Sequence, residues 1–257
     1  MKTVRTAAQL LRQFTVAAPE HGVTDLARLM DLDKTSTYRL VRSLCEANLV
    51  EQDPLTKRYR LGFGVLDLAA VRLAQFGVIE AANEAMHRLR EATGETVAVM
   101  ARDGFEIVCL QALEPRGGMR VSFVIGERGP LHCTASGLLW LSEMADRERD
   151  VAIACSMARH PGLPAPDPGL FDRIRDEGCA ATLSTNVPDV SAAAAAIRDR
   201  DGAIAHSLVV SCPRPRIEPE ALWQRAHEVR AEAAAITKAM GGRLPPPGPW
   251  ATMISAG

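Results

Sequence analysis

Apolar positions near the start of the chain recur at the spacing of two amphipathic helices. The first, over residues 4–17, is expected to bury Ala8, Leu11 and Phe14. The second is short and begins at Thr24, a residue type that often caps helix N-termini. The pattern therefore predicts a small helical unit at this end of the chain.

A third helix is predicted to begin near Lys34, after a turn at Asp31–Asp33. The apolar positions expected to face inward are Leu40, Val41, Leu44 and Leu49. The outward positions are hydroxyl-bearing or basic: Lys34, Thr35, Ser36, Tyr38, Arg39 and Arg42. Hydroxyls and free amides at a helix N-terminus, followed one turn later by guanidinium groups, are what a reader of the DNA major groove needs.

A basic hairpin is predicted next. Residues 49–53 and 58–61 alternate like strands on either side of a polar turn that starts with Asp-Pro. Lys57, Arg58 and Arg60 give this hairpin a positive charge.

Helix, turn, helix and basic hairpin, in this order, are typical of a winged helix-turn-helix. The alternative is a small helical domain with a solvated charged face, which any one of these helices alone would favour. The ordered set favours double-stranded DNA as the partner. The predicted DNA-contacting residues are Thr24, Lys34, Thr35, Ser36, Thr37, Tyr38, Arg39, Arg42, Lys57 and Arg58.

Composition and charge are compatible with two domains. The chain has 257 residues, of which 47% are hydrophobic, so it is long enough for two cores. Residues 1–75 carry 11 basic and 8 acidic side chains, whereas the remainder carries 19 and 23. The resulting charges of +3 and −4 support a head that faces phosphate and a body that does not.

The remaining composition excludes several classes of protein. Six scattered cysteines form no Cys-x-x-Cys pair, which argues against a zinc ribbon or a redox motif. The six histidines show no metal-ligand spacing on one helix, so we expect no metal and no cofactor. No apolar region follows the first residues, and no run approaches the roughly 20 apolar residues of a membrane helix. We expect a cytoplasmic protein that does not contact membranes.

The pattern in the rest of the chain predicts an α+β domain. Residues 65–75 and 79–92 are predicted helices, the first a linker. Later predicted helices are residues 136–144, 147–158, 170–177 and 219–240. Predicted strands are the runs Thr96–Ala101, Glu106–Leu113, Met119–Ile125, Ala180–Ser184, Ser191–Arg198 and Ala203–Val210. The alanine run at 192–196 alone favours a helix, but the turn at 199–202 favours a hairpin strand.

This organisation predicts two domains, a linker and a tail. The predicted segments are a winged helix-turn-helix domain at 1–63, a linker helix at 64–76, a second domain at 77–242 and a disordered Pro-rich tail at 243–257. An antiparallel sheet flanked by helices is expected in the larger domain.

Several motifs resemble the isocitrate lyase regulator (IclR) family of transcriptional regulators. The motifs are residues 32–40 for the recognition-helix start, 50–53 with 58–62 for the wing, 129–137 for the effector-domain loop, and Gly178, Val187-Pro188 and 211–213 for the later signature. The resemblance covers residues 4–241. It implies a GAF-like effector domain, a homodimer or dimer of dimers, and ligand-controlled binding to a palindromic operator.

The resemblance also implies a small pocket that receives a small organic acid. The matching residues here are Thr134, Ala135, Ser136, Thr182, Ala192, Val209 and Ser211. Family members that bind small keto acids can carry an acidic residue at the position of Thr182 and a cysteine or another polar group at that of Ala192. With fewer polar anchors, this chain favours a larger or more apolar acid, including an aromatic one.

Two further readings concern function. His132 beside Cys133 raises the possibility of an enzyme, but adjacent residues point apart and no orienting group is evident, so we predict a structural histidine and no catalysis. The other alternative is a small-molecule sensor or adaptor whose winged helix contacts protein instead of DNA. The basic residues of the recognition helix and wing favour phosphate over that alternative.

Overall fold

A computed structural model describes residues 2–183, 185 and 189–245 of the chain. It consists of two compact units that divide between Phe76 and Gly77. The predicted disorder of the tail falls mainly on residues 246–257, which lie outside the described residues. No described helix is long and apolar enough to cross a membrane.

The amino-terminal unit contains four helices and a two-stranded hairpin. Its elements are α1 (Lys2–Leu11), α2 (Val23–Met30), α3 (Lys34–Glu46), β1 (Val50–Gln52), β2 (Tyr59–Leu61) and α4 (Gly64–Leu73). Its core consists of Leu10, Phe14, Leu26, Val41, Leu44, Val50 and Tyr59. This arrangement is the predicted winged helix-turn-helix.

The first helix is shorter than predicted. Helix α1 ends at Leu11, and Thr15 and Ala18 then bond to each other through their backbones. The Thr15 hydroxyl also accepts from the Ala18 N–H at 3.0 Å, which stabilises a turn in place of a further helical turn. Ala8 was expected in the core and is exposed, whereas Leu10 is fully buried.

The start of the second helix also differs from the prediction. Gly22 is the N-cap of α2, and Thr24 lies within the first turn with its side chain exposed. The Gly22 N–H donates to Asp25 Oδ2 at 3.2 Å, so a carboxylate three residues later caps the helix. Asp31 then adopts a left-handed conformation, with φ of 50°, which ends α2 and permits the tight turn before α3.

The hairpin follows the prediction closely. Strands β1 and β2 are antiparallel, and Glu51 lies opposite Arg60. Asp53 Oδ1 accepts from the N–H groups of Leu55 and Thr56, at 2.9 and 2.7 Å, which fixes the turn. The residue after β2 is Gly62. Glycine is required there because a Cβ would lie 2.6 Å from the carbonyl oxygen of Asn48.

The second unit is a six-stranded sheet with helices on both faces. Its helices are α5 (Gly77–Thr93), α6 (Ala135–Glu143), α7 (Asp146–Arg159), α8 (Gly169–Glu177) and α9 (Pro219–Ala239). Its strands are β3 (Thr96–Asp103), β4 (Glu106–Leu113), β5 (Arg128–Pro130), β6 (Cys179–Leu183), β7 (Val190–Arg198) and β8 (Ile204–Pro213). The strand order is β5-β4-β3-β8-β7-β6, with every neighbouring pair antiparallel.

Alternation along the strands divides the sheet into two buried faces. Ala98, Ala194 and Val209 share a core with residues of α6 and α8, whereas α5 and α9 pack against β3 and β7. The alanine run lies in β7, as predicted from the turn that follows it. Alanine suits this central position because both sides of the strand are covered by other elements.

One predicted strand does not form. Residues 119–125 are irregular, and the partner of β4 at this edge is the shorter β5. The edge of β4 is already occupied, because Gly126 N–H donates to the Cys109 carbonyl at 2.8 Å and Cys109 N–H donates to the Glu127 carbonyl at 3.0 Å. Residues 119–125 instead form a loop, held where Thr96 Oγ1 donates to the Val121 carbonyl at 2.5 Å.

Candidate functional site: a cavity and a basic helix surface

The second unit contains a cavity of ≈ 340 Å³ between the sheet and the start of α6. All seven residues predicted to bind an effector line it: Thr134, Ala135, Ser136, Thr182, Ala192, Val209 and Ser211. Strands β6, β7 and β8 bring the last four together, since Thr182 pairs with Ala192 and Ala192 pairs with Ser211. The sheet thus assembles residues that are up to 77 positions apart in the chain.

The start of α6 presents backbone donors at this cavity. Thr134 is the N-cap, and its Oγ1 accepts from Gly137 N–H at 3.1 Å while it donates to the Pro130 carbonyl at 2.8 Å. The N–H groups of Ala135 and Ser136, in the first helical turn, have no intrahelical acceptor. A helix N-terminus of this kind favours a carboxylate.

Hydroxyl groups complete the polar lining. Ser136, Thr182 and Ser211 are each more than nine-tenths buried. These residues line the cavity, and none of the three hydroxyls forms a hydrogen bond within the part of the chain that the structure describes. Since buried polar groups are rarely left unpaired, these hydroxyls are available to a ligand.

The charged residues of the lining are Glu127 and Arg128. The Arg128 guanidinium donates to Asp103 and, at 3.1 Å, to Glu106. Arg128 is therefore already neutralised by two carboxylates. Among the described lining residues no other cation is present, so an acid in this cavity would be held by amides and hydroxyls.

Part of the lining was not predicted from the sequence. Met100, Ile107 and Cys109 form an apolar floor on β3 and β4, and their strand alternation is a usable signal. A wall of the cavity consists of residues 121–123 and 127–129. Residues 121–123 were missed because they were assigned to a predicted strand at 119–125. Their role depends on a loop whose path the apolar pattern does not reveal.

His132 and Cys133 have structural roles. His132 is fully buried, and its Nδ1 lies 2.9 Å from Ser156 Oγ, which also accepts from the Leu131 N–H at 3.0 Å. Burial, with a smaller contribution from the charge of His160, lowers the pKa of His132. Burial raises the pKa of the Cys133 thiol to about 12, which disfavours a nucleophilic thiolate. The predicted hydrogen-bonded histidine is confirmed.

The recognition helix α3 displays most of the predicted DNA contacts. Asp33 caps the helix by accepting from Ser36 N–H at 2.8 Å. The predicted contacts that are exposed on this helix are Lys34, Thr35, Ser36, Tyr38, Arg39 and Arg42. Lys34 and Arg39 have no ion-pair partner among the described residues, whereas Arg42 approaches Glu46 at 4.0 Å.

Thr37 is wrong as a DNA contact. It is fully buried, and its hydroxyl donates to the Asp33 carbonyl at 2.9 Å. The helical spacing places this position one turn before Val41 and therefore on the core side of α3. A threonine can occupy it because the hydroxyl bonds back to the helix.

Two of the three basic side chains of the wing, Arg58 and Arg60, are already paired within the protein. Arg58 lies 3.6 Å from Asp25 and donates to the Glu20 carbonyl at 3.0 Å, while Arg60 donates to Glu51 at 2.6 Å. Lys57, at the tip, is exposed and adopts a positive φ of 58°. Among the described wing residues, Lys57 is the basic side chain without an acidic partner.

Comparisons with known proteins agree with this organisation. The family described as "IclR helix-turn-helix domain" matches residues 3–54, and the family described as "Bacterial transcriptional regulator IclR C-terminal" matches residues 70–238. The transcriptional repressor AllR of Salmonella typhi is 27% identical over 231 residues, which are 88% of this chain and 84% of that protein.

Two solved structures share the fold. A regulator from Silicibacter sp. TM1040 is 30% identical, with a TM-score of 0.73 over 96% of this chain and 99% of its own. An IclR homologue from Microbacterium hydrocarbonoxydans, solved in complex with 4-hydroxybenzoate, is 20% identical, with a TM-score of 0.75 over 93% and 98% of the two chains. With family matches that cover both units, the protein belongs to the IclR family of bacterial transcriptional regulators.

Proposed function

We propose that this regulator binds operator DNA through α3 and the wing, and that a small organic acid in the cavity changes its operator affinity. The winged helix-turn-helix at 1–63 would contact DNA, the helix region at 64–76 would link the units, and the unit at 77–242 would bind the effector. The observation that carries the effector role is the cavity itself, with three buried hydroxyls near the α6 N-terminus that have no hydrogen-bond partner among the described residues.

The cavity supports an acid larger than a two- or three-carbon keto acid. Its volume of ≈ 340 Å³ and its apolar floor of Met100, Ile107 and Cys109 suit a ligand with a sizeable hydrocarbon part. Ala192 contributes to this space because it is small. The aromatic acid bound by the Microbacterium homologue is a member of this class, and we propose an aromatic or similarly sized monoacid of a catabolic operon here.

Self-association is proposed on the properties of α4. This helix has no buried residue, and it carries exposed Leu66, Leu68 and Val71, each more than 60% exposed. Apolar surface of this kind is typical of a protein interface. A homodimer, or a dimer of dimers, would cover it and would place two recognition helices about 34 Å apart on a palindromic operator.

The AllR proteins are named as repressors, which makes repression the first direction to test. Activation would use the same DNA-binding and effector-binding units. The rival proposal is an adaptor whose winged helix binds protein. It is disfavoured by Lys34, Arg39 and Lys57, which are exposed on α3 and the wing and have no ion-pair partner among the described residues.

The DNA proposal is tested by titrating the full chain against its own upstream intergenic duplex and against an unrelated duplex at two salt concentrations. Arg39→Ala should weaken binding and lower the salt slope by about 0.9 if Arg39 contacts a phosphate. Arg147→Ala, which removes an exposed arginine of α7, is the matched control and should bind like the intact protein.

Three outcomes separate the alternatives. Selective binding weakened by Arg39→Ala alone supports the regulator proposal. Salt-dependent binding without preference for the upstream duplex would place the operator elsewhere in the genome. A folded protein that binds neither duplex would contradict DNA recognition and would favour the adaptor.

A further inference from the structure

The cavity wall at Met119–Ile125 is held differently from the other walls, and we call this segment the strap. Val121, Ser122 and Phe123 of the strap line the cavity. The sheet strands and α6, which supply most of the remaining lining, are fixed by their own backbone hydrogen bonds. Among the described residues, no backbone N–H or carbonyl of the strap bonds to the backbone of a strand. The strap is therefore the wall segment that can move without breaking the sheet.

Glycines in a left-handed conformation flank the strap at both ends. Gly117 and Gly118 precede it with φ of 83° and 75°, and Gly126 follows it with φ of 84°. A Cβ built on Gly117 or Gly126 would have no described atom within 4 Å beyond the neighbouring residues of the chain. Glycine permits wide rotation of its backbone dihedrals, and such residues often serve as hinges for segments that move over ligand sites.

Two polar side chains outside the strap hold its backbone between these ends. Arg216 donates to the Met119 carbonyl at 2.6 Å, and it also donates to the carboxylate of Glu95 at 3.2 Å. Thr96 Oγ1 donates to the Val121 carbonyl at 2.5 Å. Each contact can break singly, because neither is part of a strand ladder.

The side chains of the strap add only modest contacts. Arg120 and Ser122, both exposed, donate to the carboxylate of Glu114. Phe123 is half-buried and packs against the core cluster of the second unit. Exposed charge pairs contribute little to stability, so opening the strap costs far less free energy than unfolding the unit.

We propose that the strap is a gate: it turns about the glycines at its two ends to admit ligands to the cavity and to release them, and Arg216 and Thr96 are the latches that hold it closed. That the ligand is the effector rests on the proposed function, whereas the opening itself does not. A gate of this kind sets the rates of ligand entry and release.

Cys109 reports the opening in the absence of any ligand. It lines the cavity and is 2% exposed, and its carbonyl accepts from the N–H of Gly126 at the end of the strap. Cys179 is fully buried in β6 and is not among the described residues that line the cavity. Burial raises the pKa of the Cys109 thiol to about 11 and that of the Cys179 thiol to about 12. Neither thiol should react readily while its surroundings stay closed.

The test is the rate at which N-ethylmaleimide modifies each cysteine of the full chain, measured by mass spectrometry of tryptic peptides that separate the six cysteines. In the intact protein, Cys109 should react at least about tenfold faster than Cys179, because it requires only the opening of the strap. Arg216→Ala and Thr96→Val should each raise the Cys109 rate by about three- to tenfold, because each removes one latch. The Cys179 rate should stay unchanged.

Arg88→Ala is the matched control, because the Arg88 guanidinium makes two hydrogen bonds to Glu232 and is not among the described lining residues. It should leave both rates unchanged, and thermal melting establishes that each variant is folded. A Cys109 rate no higher than that of Cys179 in the intact protein overturns the inference. A Cys109 rate that neither folded latch variant raises above the control overturns it as well. The assay contains no acid, so its result is independent of the effector proposal, which is tested by the effect of an acid on operator binding.

Discussion

At the scale of single residues, Gly137 allows the first turn of α6 to approach the preceding loop. A Cβ at this position would lie 2.0 Å from the carbonyl oxygen of Leu131, a backbone atom that cannot move aside. Gly137→Ala should therefore lower the free energy of unfolding by about 3 kcal/mol. Urea denaturation measures this effect.

Gly77→Ala is the control for that substitution. Gly77 also lies in a helix, but nothing is within 4 Å of a Cβ built there. Its replacement by alanine should lower the free energy of unfolding by no more than about 0.5 kcal/mol. It could also raise this free energy, because alanine favours the helix. Equal effects of the two substitutions would contradict the close contact between Gly137 and Leu131.

Because His132 is buried, we expect the second unit to lose stability in mild acid. Burial lowers the pKa of His132 below its ordinary value of 6.5, and it does the same for His206. The unfolded chain therefore binds protons more readily than the folded protein, so stability is full above pH 7 and declines as the pH falls through about 6.5. Urea midpoints measured from pH 7.5 to 5 should fall with pH.

The variant His132→Gln distinguishes this cause from a general acid effect. If the variant folds, its urea midpoint should depend less on pH than that of the intact protein, and His206→Gln should show a similar reduction. A pH dependence that neither substitution reduces would mean that other groups dominate the acid response.

At the scale of elements, the N-cap of the recognition helix is the most direct contribution of one side chain to DNA-binding geometry. Asp33 accepts from Ser36 N–H, and this hydrogen bond is the main cause of the lowered pKa of its carboxyl group. Asp33→Ala should lower the melting temperature of the full chain's first transition and weaken operator binding, because the start of α3 would fray. Asp33→Asn can still accept the bond and should preserve most of both properties.

The Asp33 prediction is checked by differential scanning calorimetry together with the DNA titration. Weakening by Asp33→Asn as large as that by Asp33→Ala would show that charge, and not capping, is the contribution of this residue. Unchanged melting in both variants would contradict the cap.

Elements with a strong periodic signal were predictable from the sequence. The first three helices and the hairpin of the first unit, the sheet of the second unit and its long final helix all have an apolar face that recurs at the expected period. The start of α2 was missed because a carboxylate at Asp25, and not Thr24, satisfies the helix end. The loop at 119–125 was missed because its apolar residues alternate as in a strand, although only Val121 and Phe123 line the cavity.

The cavity residues differ in what made them predictable. Thr134–Ser136 and the residues on β6, β7 and β8 follow from the family resemblance and all line the cavity. Glu127 and Arg128 had no such signal, because their position depends on how the loop returns to β4 through Gly126. Thr37 shows the opposite failure: its polarity indicated an exposed contact, yet its hydroxyl is satisfied by the backbone of Asp33.

At the scale of the whole molecule, the proposed function requires that an acid bound to one unit change the DNA affinity of the other. Such a link is a coupling free energy, and it requires that the acid bind with different affinity to the DNA-bound and free protein. Ala192→Leu offers a matched perturbation, because the larger side chain would occupy cavity space without changing the DNA-contacting surface. It should abolish acid binding while operator binding remains.

A fluorescence anisotropy titration of the operator duplex, with and without saturating 4-hydroxybenzoate, measures whether the cavity controls DNA binding. Saturation is established beforehand from the acid's shift of the melting temperature. We predict that the acid changes the operator Kd by about 5- to 150-fold in the intact protein and leaves that of Ala192→Leu unchanged. An operator Kd that is identical with and without an acid shown to bind would contradict the claim that this cavity controls DNA binding.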